Sequence, residues 1–286
     1  MNSSIAIFGA NGYVGTAAFL LFRRTGADMH MIDPTYTDDY KNANKKLPKN
    51  IRMYGKITRF GYDLAVICVP TEMKENGECD TRTVEGIVSK VRADVILIKS
   101  TVPPGTVDKL KKRYGKRIVF SPEYVGQSSY DNSYEFHTNM AKTPWIVLGG
   151  AKRDTKYIYD MLLPIVGCEK KWHFLTAKEA ELVKYMENIL FATKVTLSNE
   201  FYEICKKLGC NWEKVRQAWL DDPRINPMHT AVFKDSRGFG GKCFPKDTNA
   251  LVYACKKAGY NPELIQEVLR SNVRFTKDKT LKKVND

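Results

Sequence analysis

Cys243, Lys246 and Asp247 stand within five residues of one another, directly behind the glycine-rich run Gly238-Phe239-Gly240-Gly241. Glycine lets backbone approach a ligand closely. The thiolate is the reactive form of cysteine, and a nearby cation favours it. If a helix begins here, Cys243 and Asp247 share one face at i and i+4. That is the pattern of a covalent-catalysis cluster. The same spacing also suits a loop around a small, buried, inert cysteine. Local residues alone leave both open.

A second set of candidate residues follows the strand-like runs of the first half. After Ile5–Phe8 comes Gly9-Ala10-Asn11-Gly12-Tyr13-Val14-Gly15, a glycine turn that opens a helical stretch. Such a turn places a helix N-terminus against a pyrophosphate. The next strand-like run ends in Asp33, 18 residues past Gly15. A carboxylate there accepts from a ribose diol and repels a 2′-phosphate, which favours NAD over NADP. Later runs end in Val69-Pro70-Thr71, in Lys99-Ser100-Thr101-Val102-Pro103 and in Ser121-Pro122-Glu123-Tyr124. Each proline stops its strand and leaves a hydroxyl or a carboxylate at the sheet edge.

The elements that position these groups are legible in the apolar pattern. Short, nearly uninterrupted runs at Ile5–Phe8, Met29–Ile32, Leu64–Val69, Val95–Ile98, Ile118–Phe120 and Trp145–Leu148 predict parallel strands buried on both faces. Helical stretches such as Gly12–Thr25 and Thr81–Val91 lie between them. The pattern predicts an α/β fold with a doubly wound parallel sheet. Pro34–Asn50 is polar and lysine-rich and reads as a loop. From Ala177 to Leu208 one helical pattern runs without Gly or Pro, with apolar residues at Leu182, Val183, Met186, Ile189, Leu190, Val195 and Leu197. Such a helix connects domains or forms a dimer core. It places Glu181, Lys184 and Asn188 on one face. Further helices are expected at Trp212–Leu220, Thr248–Ala258 and Pro262–Phe275.

Composition narrows the classes. A chain of 286 residues with 43% hydrophobic residues suits one large or two ordinary globular domains. Its seven cysteines form no CxxC pair and its four histidines are scattered. No metal site and no disulfide framework is expected, and the compartment reads as reducing and cytoplasmic. There is no signal-peptide pattern and no apolar run long enough for a membrane span. The net charge of +14 suits small polyanions such as dinucleotides and sugar nucleotides. No nucleic-acid-binding motif accompanies it, so nucleic acid is not the expected partner.

These motifs, taken in order, resemble the UDP-glucose/GDP-mannose dehydrogenase family. The matching segments are Gly12-Tyr13-Val14-Gly15, Val69-Pro70-Thr71, Ser100-Thr101-Val102-Pro103, Ser121-Pro122-Glu123-Tyr124, Ala180-Glu181-Leu182-Val183-Lys184 with Asn188, Asn199-Glu200, Asp222-Pro223-Arg224-Ile225 and Gly238 to Asp247. The resemblance implies a Rossmann-type NAD-binding domain over residues 1–175. An all-α central domain, carrying the cysteine and the dimer contact, is implied over residues 176–286. It implies oxidation of UDP-glucose to UDP-glucuronate by two hydride transfers to NAD. Cys243 would be the nucleophile, through a thiohemiacetal and then a thioester. Glu123 would act as base and Thr101 would hold a water. Lys184 would stabilise the oxyanion, and Asn188 and Asp247 would order water and the alkoxide. Gly9, Gly12, Tyr13, Val14, Gly15, Asp33, Pro70, Thr71, Thr101 and Lys246 would hold the cofactor. Glu123, Tyr124, Lys184, Asn188, Phe239, Gly240 and Gly241 would meet the substrate. Arg224 would reach the substrate of the neighbouring subunit in a homodimer.

Three departures qualify these expectations. The first two glycines of the turn are one residue further apart than the family's. Gly126-Gln127-Ser128 stands where relatives commonly carry a charged residue followed by Glu-Gly. Relatives also continue into a further nucleotide-binding domain, so the chain is expected to be a short form without it, or to receive it from a separate chain. The alternatives are a GDP-mannose-type dehydrogenase and a non-catalytic, dimeric NAD-binding protein.

Overall fold

The computed structural model describes residues 3–37, 47–126 and 134–276. The chain divides into two compact units, Met1–Thr71 with Asp80–Lys184, and Glu72–Cys79 with Tyr185–Asp286.

The first unit holds the sheet. Strands β1 (Ser4–Phe8), β2 (Asp28–Ile32), β3 (Ile51–Tyr54), β4 (Gly61–Ile67), β5 (Arg92–Ile98), β6 (Ile118–Phe120), β7 (Trp145–Gly149) and β8 (Lys171–Leu175) lie in the order β3-β2-β1-β4-β5-β6-β7-β8. Side chains alternate across a strand, so each apolar run feeds two cores. Ile5, Ile7, Leu64, Val66, Val95 and Leu97 pack in one cluster. Their chain neighbours Ala6, Phe8, Ala65, Ile67, Ile96 and Ile98 pack in the other. Helices α1 (Tyr13–Phe22), α2 (Arg82–Lys90), α3 (Thr106–Tyr114) and α4 (Lys152–Val166) follow β1, β4, β5 and β7 in the chain. This is the doubly wound arrangement that the runs predict.

Two features differ from the sequence expectation. Strand β7 pairs antiparallel with β6, through Phe120 and Gly149. Their connection contains only short 3-10 turns at Glu135–His137 and Met140–Lys142 among its described residues. An antiparallel neighbour needs no crossover helix. Strands β3 and β8 are additional, and each closes one end of the sheet. Edge strands are half solvated, so they lack the continuous apolar run that marks the inner ones. Of the polar stretch Pro34–Asn50, residues 38–46 lie outside the described residues.

The second unit is helical. Helix α5 (Ala177–Lys207) begins in the first unit and continues into the second. It is followed by α6 (Trp212–Leu220), α7 (Phe244–Lys257) and α8 (Glu263–Phe275). Tyr185 and Ile189 pack with Cys79, Ala250 and Leu251. One turn further on, Ala192 packs with Phe239, Val252, Val268 and Leu269. Helix α7 starts four residues before the expected Thr248 because Pro245 falls in its first turn, where a missing N–H costs nothing. Among the described residues no helix is long and apolar enough to cross a membrane.

The start of α5 is set by a glycine contact. An ideal Cβ on Gly149 would lie 2.4 Å from Ala180 Cβ and 3.0 Å from the Thr176 carbonyl. The Gly149→Ala variant is therefore expected to lose about 1–3 kcal/mol of stability through overpacking. Urea denaturation of the two proteins measures the difference.

Candidate active site

The glycine turn is built by close approach. A Cβ on Gly9 would meet the Cys68 carbonyl at 2.6 Å, and one on Gly15 would lie 2.0 Å from the Gly9 carbonyl. Gly9 also takes φ +75°, which disfavours any side chain. Gly12 is different. Its φ of −75° is ordinary, and its Cβ would meet only the Gly9 carbonyl, at 3.2 Å. The missing side chain there leaves an exposed cradle at the start of α1, where a helix N-terminus favours an anion. Tyr13 and Val14 form the first turn of α1, and the Tyr13 hydroxyl donates to the His137 carbonyl at 3.4 Å.

Asp33 follows the last residue of β2 and is buried. Its Oδ1 accepts from the Thr35 N–H at 3.0 Å and the Thr35 hydroxyl at 2.7 Å, and its Oδ2 accepts from the Asn11 N–H at 3.2 Å. A carboxylate has about four lone-pair positions, so acceptor capacity remains at Oδ2 for a ribose hydroxyl. Asn11, inside the turn, thus helps to fix Asp33. The cradle and the carboxylate both fit a dinucleotide.

Three further candidate segments sit at the carboxyl ends of adjacent parallel strands β4, β5 and β6. Pro70 and Thr71 follow β4, Thr101 follows β5, and Glu123 with Tyr124 follow β6. The Thr71 hydroxyl donates to the Thr101 carbonyl at 2.8 Å. Glu123 Oε2 accepts from the Val125 N–H at 2.7 Å. Lys184, buried on α5, places its ammonium 5.4 Å from the centre of the Tyr124 ring, within cation–π range. Glu181, one turn before Lys184, is fully buried. Its carboxyl accepts from the N–H groups of Gly105 and Val107 at the start of α3. It is therefore a helix-capping group. Burial raises its carboxyl to about 7, against the opposing pull of those two N–H donors.

In the second unit, Cys243 is the N-cap residue of α7 and is exposed. Its carbonyl accepts from the Asp247 N–H at 2.8 Å, so the expected i, i+4 relation holds on a helix. Asp247 is buried and held from two sides. Asn188 Nδ2 donates to its Oδ2 at 2.5 Å, and Lys246 Nζ pairs with its Oδ1 at 2.5 Å. Burial pulls the Lys246 ammonium down. Attraction to Asp247, then to Cys79 and Cys243, together with the Asp247 hydrogen bond, outweighs burial and raises it. Cys79, in a short bridge with Met73, has no spacing signal that would link it to this cluster.

The remaining predicted residues are placed as follows. Phe239 is buried, and Asn272 on α8 clasps its backbone, accepting from its N–H at 2.7 Å and donating to its carbonyl at 2.8 Å. Gly238 has φ +71°, and a Cβ there would lie 2.6 Å from Asn272 Oδ1. Gly240 and Gly241 are exposed, and Gly241 has φ +73°. Arg224 is exposed and lies bidentate on Asp222. Gly126 donates its N–H to the His137 carbonyl at 3.1 Å, while Gln127 and Ser128 lie outside the described residues. Among the described residues no group of three or more His, Cys, Asp or Glu side chains could hold a metal ion.

Comparison with known proteins agrees with the motifs. Residues 40–163 match the NAD binding domain of the UDP-glucose/GDP-mannose dehydrogenase family, and residues 178–274 match its central domain. The chain belongs to this family. It is 31% identical over 223 residues to UDP-glucose 6-dehydrogenase TuaD of Bacillus subtilis, covering 73% of this chain and 46% of that protein. It is 29% identical over 234 residues to a GDP-mannose 6-dehydrogenase of Pseudomonas aeruginosa, covering 73% of this chain and 50% of the relative. The chain thus spans about half the length of these relatives. A UDP-glucose dehydrogenase structure from Pyrobaculum islandicum shares the fold, with TM-score 0.77 at 24% identity over 96% of this chain and 68% of that one.

The raised Glu181 carboxyl has a consequence for stability. A carboxyl raised from 4.5 to about 7 in the folded state binds its proton more tightly there than when unfolded. Its contribution is complete below pH 4.5 and is lost as pH rises to about 7. The loss amounts to about 3 kcal/mol. Glu181→Gln removes this titration. Denaturant melts at pH 4.5 and pH 7 are expected to show the wild type losing stability relative to the variant as pH rises.

Proposed function

We propose that the chain carries the chemical steps of an NAD-dependent nucleotide-sugar 6-dehydrogenase, with UDP-glucose oxidised to UDP-glucuronate. The observation that carries this is Cys243 at the start of α7, one turn from a buried Asp247 held by Asn188 and Lys246. In this assignment the Gly9–Gly15 turn and Asp33 would hold NAD, which would supply a hydride acceptor for C6, one NAD for each of the two oxidations. Cys243 adds to the aldehyde after the first, giving a thiohemiacetal whose oxidation yields a thioester. Water then cleaves the thioester, releasing the carboxylate and the thiol. Covalent attachment keeps the aldehyde from escaping.

The other residues have supporting roles. Glu123 takes protons in the hydrolytic step, and Thr101 holds the attacking water. Lys184 and Asn188 stabilise charge that develops on oxygen, with Asp247 fixing Asn188. Residues 1–175 are assigned to cofactor binding. Residues 176–286 are assigned to the thiol and to self-association. UDP-glucose is preferred because the Cys-Phe-Pro-Lys-Asp form resembles enzymes acting on it. GDP-mannose is the second candidate, since a GDP-mannose 6-dehydrogenase is among the relatives. The seven free cysteines suit a reducing cytoplasm.

Self-association is supported by an apolar stripe on α5. Met186, Leu190, Leu197 and Ile204 recur at helical spacing and are 45–62% exposed, and Leu208, just past the end of the helix, is 73% exposed. Apolar residues left at this level along one face suit burial against a second copy. In such a dimer Arg224 would reach the partner's substrate.

Two measurements test the assignment. Cys243→Ser is expected to lower uronate formation at least a hundredfold, and uronate formed at the wild-type rate would refute the thiol's role. NADH absorbance with product mass spectrometry reads both oxidations. A double Met186→Glu, Leu190→Glu variant is expected to elute as a monomer where the wild type elutes as a dimer. Light scattering coupled to gel filtration decides it.

A further inference from the structure

Asn272, on α8, is only 2% exposed. Val268 and Leu269, one turn before it, belong to the apolar cluster around Ala192, Phe239 and Val252. A carboxamide beside such a cluster is costly unless its polar groups are met. Both are met by a single residue. Oδ1 accepts from the Phe239 N–H at 2.7 Å, and Nδ2 donates to the Phe239 carbonyl at 2.8 Å, both in buried bonds. A neighbouring antiparallel strand would supply the same pair of contacts. Here one side chain supplies it, and two bonds fix both the place and the tilt of the Phe239 backbone.

Gly238 is shaped by this clasp. With φ +71°, a Cβ there would lie 2.6 Å from Asn272 Oδ1 and 3.3 Å from the Thr276 backbone nitrogen. Its missing side chain therefore answers to contacts inside the protein. Gly241 is different, since it is exposed and a Cβ on it would meet nothing within 4 Å. The residue before Gly238 is anchored as well. Arg237 Nε donates to Asn199 Oδ1 at 2.5 Å and Nη1 donates to Glu203 at 2.8 Å, both partners on α5. Its guanidinium lies 4.5 Å from the centre of the Tyr202 ring. Asn199 Nδ2 donates to the Val195 carbonyl at 2.9 Å, which turns its Oδ1 towards the arginine. Helices α5 and α8 thus hold the chain at positions 237 and 239. Gly240, Gly241 and Lys242 then lead to Cys243, the N-cap of α7. So short a connection reaches at most about 14 Å, and its path is set by its two fixed ends.

We propose that Asn272 is a positioning residue for the glycine loop: its carboxamide clasps the Phe239 backbone and, with the Arg237–Asn199 anchor, sets where the exposed residues 240–242 stand beside Cys243. Its link to the reaction rests on the assignment of Gly240 and Gly241 to the substrate and of Cys243 as the nucleophile. It divides the glycine run by task. Gly238 makes room for the clasp, and Gly240 and Gly241 are left for the substrate. It also gives Asn199 a task, as the anchor of Arg237.

Two variants open the clasp from opposite sides. Asn272→Leu keeps the volume and removes both hydrogen bonds. Gly238→Ala keeps Asn272 and drives a Cβ against its Oδ1. Each leaves the Phe239 N–H and carbonyl without their buried partner, which favours a loop displaced towards water. Hydrogen–deuterium exchange of the full chain, read by mass spectrometry, is expected to rise at least about fivefold over residues 237–243 in both variants. It is expected to stay at the wild-type level along α5 and along α7 beyond Asp247. The KM for UDP-glucose is expected to rise about tenfold, with kcat within about twofold and the KM for NAD unchanged, because the loop meets ground state and transition state alike. Wild-type exchange over residues 237–243 overturns the proposal, as does a rise shared equally by α5, α7 and α8, which marks a packing role alone. A faster-exchanging loop with an unchanged UDP-glucose KM overturns it too. Gly238→Ala alone decides if Asn272→Leu does not fold. A wild-type chain that turns over no nucleotide sugar overturns the functional assignment instead, and the exchange pattern still decides the role of Asn272.

Discussion

A parallel sheet covered on both faces leaves polar groups few places to stand. Along β1, β4 and β5 every second residue enters one apolar core and the next enters the other. Charged and hydroxyl side chains are therefore pushed to the carboxyl ends of the strands. Asp33, Thr71, Lys99, Thr101 and Glu123 all follow directly on a strand or within four residues of one. The same constraint explains why so many of them are buried. A group at the strand end lies in the last layer of the core rather than on an open surface.

Burial makes the chemistry depend on partners. Glu181 is sustained by two N–H groups of α3, Asp247 by Asn188 and Lys246, and Lys99 by the Ser121–Pro122 carbonyls. In each case desolvation penalises the charge and a specific contact opposes that penalty. The outcome differs. For Glu181 desolvation wins, and its carboxyl rises to about 7. For Lys246 the neighbouring carboxylate wins, and the ammonium is raised. Residue type alone would not have marked the Glu181 carboxyl as titrating near neutrality.

Much was legible beforehand. The inner strands were predictable because uninterrupted β-branched runs have few other folded outcomes. Helix α5 was predictable because thirty-one residues without Gly or Pro carry a helical repeat. The edge strands β3 and β8 were not, since a half-solvated strand has no distinctive pattern. The antiparallel placement of β7 was also hidden, because strand direction is set by the connection and leaves no mark on the strand itself. The wider spacing of the turn's first two glycines was visible, but the hydrogen bond from the Asn11 N–H to Asp33 was not.

By itself the sequence determined the chemistry that is available. It placed a cysteine, a lysine and an aspartate behind a glycine run, carboxylates and hydroxyls after apolar strands, and a family's motifs in their order. Such information is local, carried by residue type and spacing within a few turns of chain. Tertiary structure decided which groups meet across long stretches of sequence and which are removed from water. Asn188 reaches Asp247 across 59 residues, and Glu181 reaches the start of α3 across more than 70. Solvent exclusion depends on everything packed around a group, so no short window of sequence encodes it. For that reason Cys243 could be named from its neighbours in the chain, whereas the cap that Glu181 places on α3 is set only by the tertiary fold.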